Sequence, residues 1–304
     1  MRIFHIHSSG VQELTTLPAQ MPAQGFLWVA CARPAFQARL AEIQGRLQAL
    51  IGLQLVDLHV SDLLNAHIPS TSDYTSQYDV MLFHRLVDSG ASDSPAAIRA
   101  AGKGGTAPPP TPVLQRVRTQ PIGFAVYDQL LLTVHPTDCA VRDAYATRLL
   151  AATPANGNGN SNGTNATASH AAAHGNAHAG PGMGEGRSSP ISGSRLPTSP
   201  ADLMLRVVNQ MVDGYLDLRR ELTRQLDHWQ TELLKPRARY VNWTSLLEAR
   251  LSLHMLDEIC EDQRTAVQDW IDALETWPLP ETPTGLRELD LLKVRSRDVL
   301  EHIE

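Results

Sequence analysis

Cysteine is scarce in this chain: 304 residues contain only Cys31, Cys139 and Cys260. Three scattered thiols offer neither a disulfide framework nor metal-ligand spacing, the usage of a protein kept in a reducing compartment. Long apolar runs are missing too. No stretch reaches the roughly 18 apolar residues that a membrane span requires. The opening MRIFHIHSSG lacks the apolar core of a signal peptide. The sequence therefore reads as a soluble, cytoplasmic portion. A basic excess is also lacking. The net charge is -6, which argues against a general nucleic-acid surface. From Pro200 onward there are 13 Lys and Arg against 20 Asp and Glu, so the negative charge sits in the C-terminal third. Nucleophile elbow, P-loop, dinucleotide and zinc-protease signatures are all absent, and nothing points to an enzyme.

What is present begins with strands. RIFHIH, GFLWVAC, YDVMLFHRLV, PIGFAVY and QLLLTVHP are short runs of branched and aromatic residues bounded by Gly, Pro, Ser and Asp. GFAVYDQLLLTV reads as a hairpin turning near Asp128 and Gln129. Between the strands, PAFQARLAEIQGRLQALIG has Pro34 at a helix start and Gly52 as its stop. DLHVSDLLNAH and TDCAVRDAYATRLLAA supply two further helices. Strands and helices in this irregular order predict an α/β (α+β) fold, a mixed sheet covered by helices.

Two segments break the pattern. GASDSPAAIRAAGKGGTAPPPTPV reads as a mobile surface loop, and Pro154 to Pro200 is almost all Asn, Gly, Ala, Ser and His. The second has too few apolar groups to offset the entropy of ordering, so it is expected to be disordered. His170, His174 and His178 lie four apart within it, but their Gly and Asn neighbours disfavour the helix that would align them as ligands.

Beyond the insert the chain is helical. Met211, Tyr215, Leu218, Leu222, Leu226, Trp229 and Leu233 keep a three-four rhythm that ends at Lys235-Pro236. A second run carries Leu247, Leu251, His254, Val267, Trp270, Ile271 and Leu274. After PLPETPTG a last helix begins near Gly285, with Leu289, Leu292, Ser296, Val299 and Ile303 as a seam facing a neighbour or another copy. No closing Gly or Asn follows, which leads us to expect that the helix continues past Glu304. The domains are thus 1–153 (α/β), 154–200 (insert), 201–284 (antiparallel helical hairpin) and 285–304 (the start of a long stalk helix).

Few residues invite chemistry. His5 and His7 alternate on a strand with no carboxylate or cysteine near them in sequence. His254 on a helix face reads as a packed core residue. Asp62 in SDLLNAH reads as a helix N-cap, and Asp298 in SRDVLEHIE as a solvated neighbour of the seam.

The order of elements, with DLLNAH before YDVMLFHRL, then GFAVYDQLLLTVHP, then LMLRVVNQMVDGYLDLRRELTRQLDHWQTELL, resembles the cytoplasmic portion of the CorA family of divalent-cation channels. That family includes the zinc-transporting ZntB branch. The likeness covers nearly the whole chain outside the two low-complexity segments. It implies five chains around an axis, with the last helices forming a funnel into membrane helices and a Gly-Met-Asn motif beyond Glu304. It also implies an inner-membrane location for the whole protein and weak regulatory Mg2+ sites between neighbouring subunits. Asp62 in Ser61-Asp62-Leu63-Leu64-Asn65 and Asp298 in Arg297-Asp298-Val299 match the family's metal-binding aspartates. Ser61 and Asn209 stand where its second site has carboxylates, and both are weak neutral ligands for Mg2+. Asp213 is a further acidic residue nearby in sequence. Mg2+ is the cation the resemblance implies, with Co2+ or Zn2+ as alternative cargo. A soluble coiled-coil scaffold is the alternative of another class.

Overall fold

The computed structural model describes residues 1–87, 117–152, 196–233 and 243–304. The GASDSP loop, nearly all of the insert and its three histidines lie outside the described residues.

Seven strands form one sheet: β1 (Arg2–His7), β2 (Gly10–Leu14), β3 (Phe26–Ala32), β4 (Thr71–Tyr74), β5 (Asp79–Leu86), β6 (Thr119–Val126) and β7 (Leu130–His135). Their order is β2-β1-β3-β7-β6-β5-β4, with only β3 and β7 parallel. The β6–β7 hairpin closes through the Tyr127 N–H, which donates to the Leu130 carbonyl at 2.9 Å. Central strands β3 and β7 are covered on both faces, which is why FLWVACA and LLLTVH read as nearly continuous apolar runs. Sequence reading missed the edge strands β2 and β4. Their segments, GVQEL and TSDY, are short and polar, as exposed edges have to be.

Alternate side chains along each strand face opposite ways and feed two cores. On the first face Leu27, Val29, Leu82 and Leu132 meet Phe36, Ile43, Leu47, Val60 and Leu63. These come from α1 (Arg33–Ala38), α2 (Leu40–Ile51) and α3 (Asp57–Leu64). The single helix expected from PAFQARLAEIQGRLQALIG is two, divided at Arg39 (φ -117°, ψ 20°); Gly52, at φ 72°, closes the second as expected. On the second face Phe4, Trp28, Phe83 and Phe124 meet α4 (Ala140–Ala151), α5 (Pro200–Leu233), α6 (Trp243–Thr276) and α7 (Pro283–Ile303).

The antiparallel α5–α6 hairpin is embedded at its base. Leu203, Met204, Val208 and Met211 of α5 lie in the sheet core with Val267, Trp270 and Leu274 of α6. Farther out Leu222 packs with Leu253, whereas Leu226, Leu247, Leu251 and Met255 are exposed. The even apolar rhythm read along these helices therefore serves the sheet only at one end. His254 is exposed beside Glu258, at 3.5 Å, and is not the packed residue expected. It is next to Leu253, which takes the inward position against Leu222, so His254 is turned to solvent.

Helix α7 starts at Pro283, capped by Thr282, whose hydroxyl accepts from the Gly285 N–H at 3.1 Å. Its seam is satisfied within the chain. Leu289, Leu292, Ser296 and Val299 are buried against α5 and α6. Ser296 sits in that apolar row because its hydroxyl accepts from Trp270 Nε1 (3.1 Å) and donates to the Leu292 carbonyl (2.9 Å).

Candidate metal-binding carboxylates

Asp62 lies in the last turn of α3, whose N-cap is Val56. The N-cap expectation is therefore corrected: the helix begins five residues earlier, because Leu55 and Val60 enter the core and set its phase. A carboxylate in the last turn faces the negative end of the helix dipole, and no basic residue in that turn offsets it. The Asp62 carbonyl accepts from the Asn65 N–H at 3.1 Å, but among the described residues its carboxylate takes part in no hydrogen bond or ion pair.

The position of α3 is tightly specified. Leu63 is fully buried over Gly123 of β6, where a Cβ would come within 2.3 Å of its side chain. Buried His59 bridges Tyr78 (Nδ1 to hydroxyl, 2.9 Å) and Asp73 (Nε2 to Oδ2, 3.1 Å). The Asp73 carboxylate can only accept, so His59 Nε2–H donates to it, while the Tyr78 hydroxyl accepts from the Val56 N–H at 2.9 Å and meets Nδ1 with its remaining capacity. His59 escaped sequence reading because its partners lie 14 and 19 residues away.

Asp298 is exposed on α7 opposite the buried seam, on one stripe with exposed Leu291 and Val294 at three- and four-residue spacing. It forms no direct bond among the described residues; its charged neighbour is Arg295, one turn back. The two aspartates are not brought together. Asp62 belongs to a helix on the first face of the sheet and Asp298 to one on the second. Ser61 is exposed on α3 and Asn209 half-buried on α5, so that pair is divided in the same way; Asp213 is exposed on α5. Among the described residues no three His, Cys, Asp or Glu side chains converge to hold a metal within the chain.

Four other titratable groups have partners within the chain. His5 Nε2 contacts the Gln24 carbonyl at 2.8 Å and His7 Nδ1 the Ser9 hydroxyl at 2.7 Å. Asp79 is buried at the start of β5, where burial pushes its carboxyl up to about 6 against a bond from Trp277. Asp202, at the start of α5, is buried between Arg206 and Arg295. The Trp277 partner of Asp79 and the Arg295 partner of Asp202 lie far off in the chain, so no local pattern shows these two contacts.

Solved structures resemble the whole chain. The soluble domain of CorA from Methanocaldococcus jannaschii aligns over 99% of this chain and 90% of its own, at 13% identity and TM-score 0.54. The complete CorA magnesium transporter of that organism aligns over 100% and 72%, at 12% identity and TM-score 0.56. The cytoplasmic domain of ZntB from Vibrio parahaemolyticus RIMD 2210633 aligns over 100% and 93%, at 12% identity and TM-score 0.49. No protein-family model and no curated protein sequence matches the chain. The chain has the fold of the CorA soluble domain: a mixed seven-stranded sheet with helices, a helical hairpin and a long C-terminal helix.

Proposed function

We propose that this chain is the ion-sensing, non-catalytic domain of a divalent-cation transporter that works as a homopentamer. In this reading α7 continues as a coiled-coil stalk toward the inner membrane, and the domain itself lies in the cytoplasm. Among the described residues no helix is long and apolar enough to cross a membrane, so the spans would lie in another part of the protein. The observation that carries the reading is the division of Asp62 and Asp298 between opposite faces of one sheet, each with uncommitted carboxylate oxygens. Within one chain they cannot meet; the aspartate of one copy and that of its neighbour can. The fold, shared with a magnesium transporter, supports the same reading.

The donors suit Mg2+, a hard cation that prefers oxygen, keeps several waters and needs only one or two carboxylates. When bound, Mg2+ would neutralise the repulsion between the two carboxylates and so favour the closed arrangement of subunits. The protein's part is to hold the two aspartates apart within a subunit and present them outward. Asp62 gains most from a cation, because its place at a helix C-terminus leaves its charge uncompensated. Ser61 and Asn209 provide no second charged site, so the response to Mg2+ rests on this pair. Ca2+ should substitute poorly, since it wants more oxygens than these residues supply.

Limited proteolysis of the full-length protein, with and without millimolar Mg2+, tests this. Wild type should be protected by the ion, while Asp62→Ala and Asp298→Ala should each lose the difference. Full Mg2+ protection in both variants would sink the proposal. Mass measurement of the detergent-extracted protein should find five chains, and a dimer would rule out the stalk geometry.

A further inference from the structure

Asp202 is 2% exposed, and every direction around its carboxylate is used. Arg206, one turn on in α5, reaches it at 3.0 Å through Nη2 and 3.2 Å through Nε. The Thr198 N–H donates to Oδ2 at 3.2 Å. The last partner comes from another helix: Arg295 of α7 places Nη1 against Oδ1. Two guanidinium groups thus share one buried carboxylate, which leaves a unit of positive charge. The acid one turn farther along α7 is Asp298, at the i,i+3 spacing where helical side chains are neighbours.

We infer that Arg295 is a positioning residue that docks α7 to the sheet through buried Asp202 and, by the same bond, withholds its guanidinium from Asp298 and keeps that carboxylate open to a cation. The inference rests on the reading of Asp298 as a cation ligand. Two states of Arg295 follow. With α7 docked, Asp202 holds the arginine, and Asp298 feels its charge without a direct bond to it. With α7 displaced, or Asp202 uncharged, the nearest remaining acid for Arg295 is Asp298, and the guanidinium then occupies the carboxylate that a cation would need. Cation binding and helix docking therefore favour one another, and by linkage each strengthens the other equally. The arrangement gives an ion bound at the rim of α7 a purchase on the helix position without any ion-to-core contact.

The test uses the full-length protein, Mg2+ alone as probe, and two readouts. In limited proteolysis, Arg295→Gln should lower the half-protecting Mg2+ concentration by about three- to tenfold, because a like charge about a helical turn from the site is gone. Asp202→Asn should raise it by a similar factor, and the double variant Asp202→Asn/Arg295→Gln should return toward the Arg295→Gln value. An unchanged midpoint in Arg295→Gln, or a shift to higher Mg2+, overturns the inference while leaving the cation site standing. Hydrogen exchange without Mg2+ reads the docking bond by itself. Amides of Leu292 to Val299 should exchange at least about tenfold faster in Arg295→Gln than in wild type, while β3 and β7 stay protected. Unchanged exchange in α7 overturns the docking role. Absence of any Mg2+ effect on wild type would instead defeat the proposed function.

Discussion

The two faces of the sheet are covered in different ways. On the first, α1, α2 and α3 are short, and their apolar rows are almost fully used by Phe36, Ile43, Leu47, Val60 and Leu63. On the second, α5 and α6 are each 34 residues long, and only one end of each reaches the sheet. The difference is one of accounting in apolar surface. The first face leaves Val56 and Leu58 exposed at the start of α3, whereas the second leaves the longer set of Leu247, Leu251 and Met255 of α6 and Leu291 and Val294 of α7 in solvent. Unused surface of this kind, beside the Asp298 stripe, is what a subunit of an assembly presents.

Truncation of the largest buried side chains should break the comparison most clearly. Trp270 is fully buried, joins α6 to Ser296 of α7, and meets Trp277 edge-on. Trp270→Ala should cost about 3–5 kcal/mol in urea unfolding and free α7 in hydrogen exchange. Phe36→Ala on the first face should cost nearly as much while leaving α7 protected. If both variants expose the same helices, the two faces are one cooperative unit.

A smaller effect should come from Asp79, on the second face's side of the account through its bond to Trp277. Its folded carboxyl is raised from 3.8 to about 6, so the folded state binds the proton more tightly than the unfolded one. The stabilisation from the protonated acid is complete below about 4 and is lost as pH rises through 6. Asp79→Asn, which keeps an acceptor for Trp277, should therefore raise stability at pH 7 by about 1–2 kcal/mol. It should also flatten the pH dependence between 4 and 6. A loss of stability at pH 7 would show that the ionised acid is favoured in the fold.

The smallest effect is expected at the helix ends. Leu251 is 65% exposed. Leu251→Ser should change the stability of the isolated chain by less than about 0.5 kcal/mol. A cost several times larger, measured by thermal unfolding at low concentration, would place Leu251 in a core and erase the contrast between base and tip.

Much of the fold was legible because local patterns encode it. The central strands, the turn at Asp128 and Gln129, the Gly52 stop and the phase of the α7 seam all depend on residues within a few positions of one another. The two aspartates were found through a family likeness of short segments, not through spacing. Periodicity shows which side of a helix is apolar, but not what covers it. Only tertiary structure decided that the Leu289–Val299 seam meets α5 and α6, and that Leu226, Leu247 and Leu251 of the hairpin are exposed. The same holds for the charges. Asp62 was moved from a helix start to a helix end by core packing around Leu55 and Val60, and Asp202 found Arg295 across 93 positions of sequence. A carboxylate's chemistry is set by the few ångströms around it. Those neighbours come from folding, which brings together residues that no local pattern links.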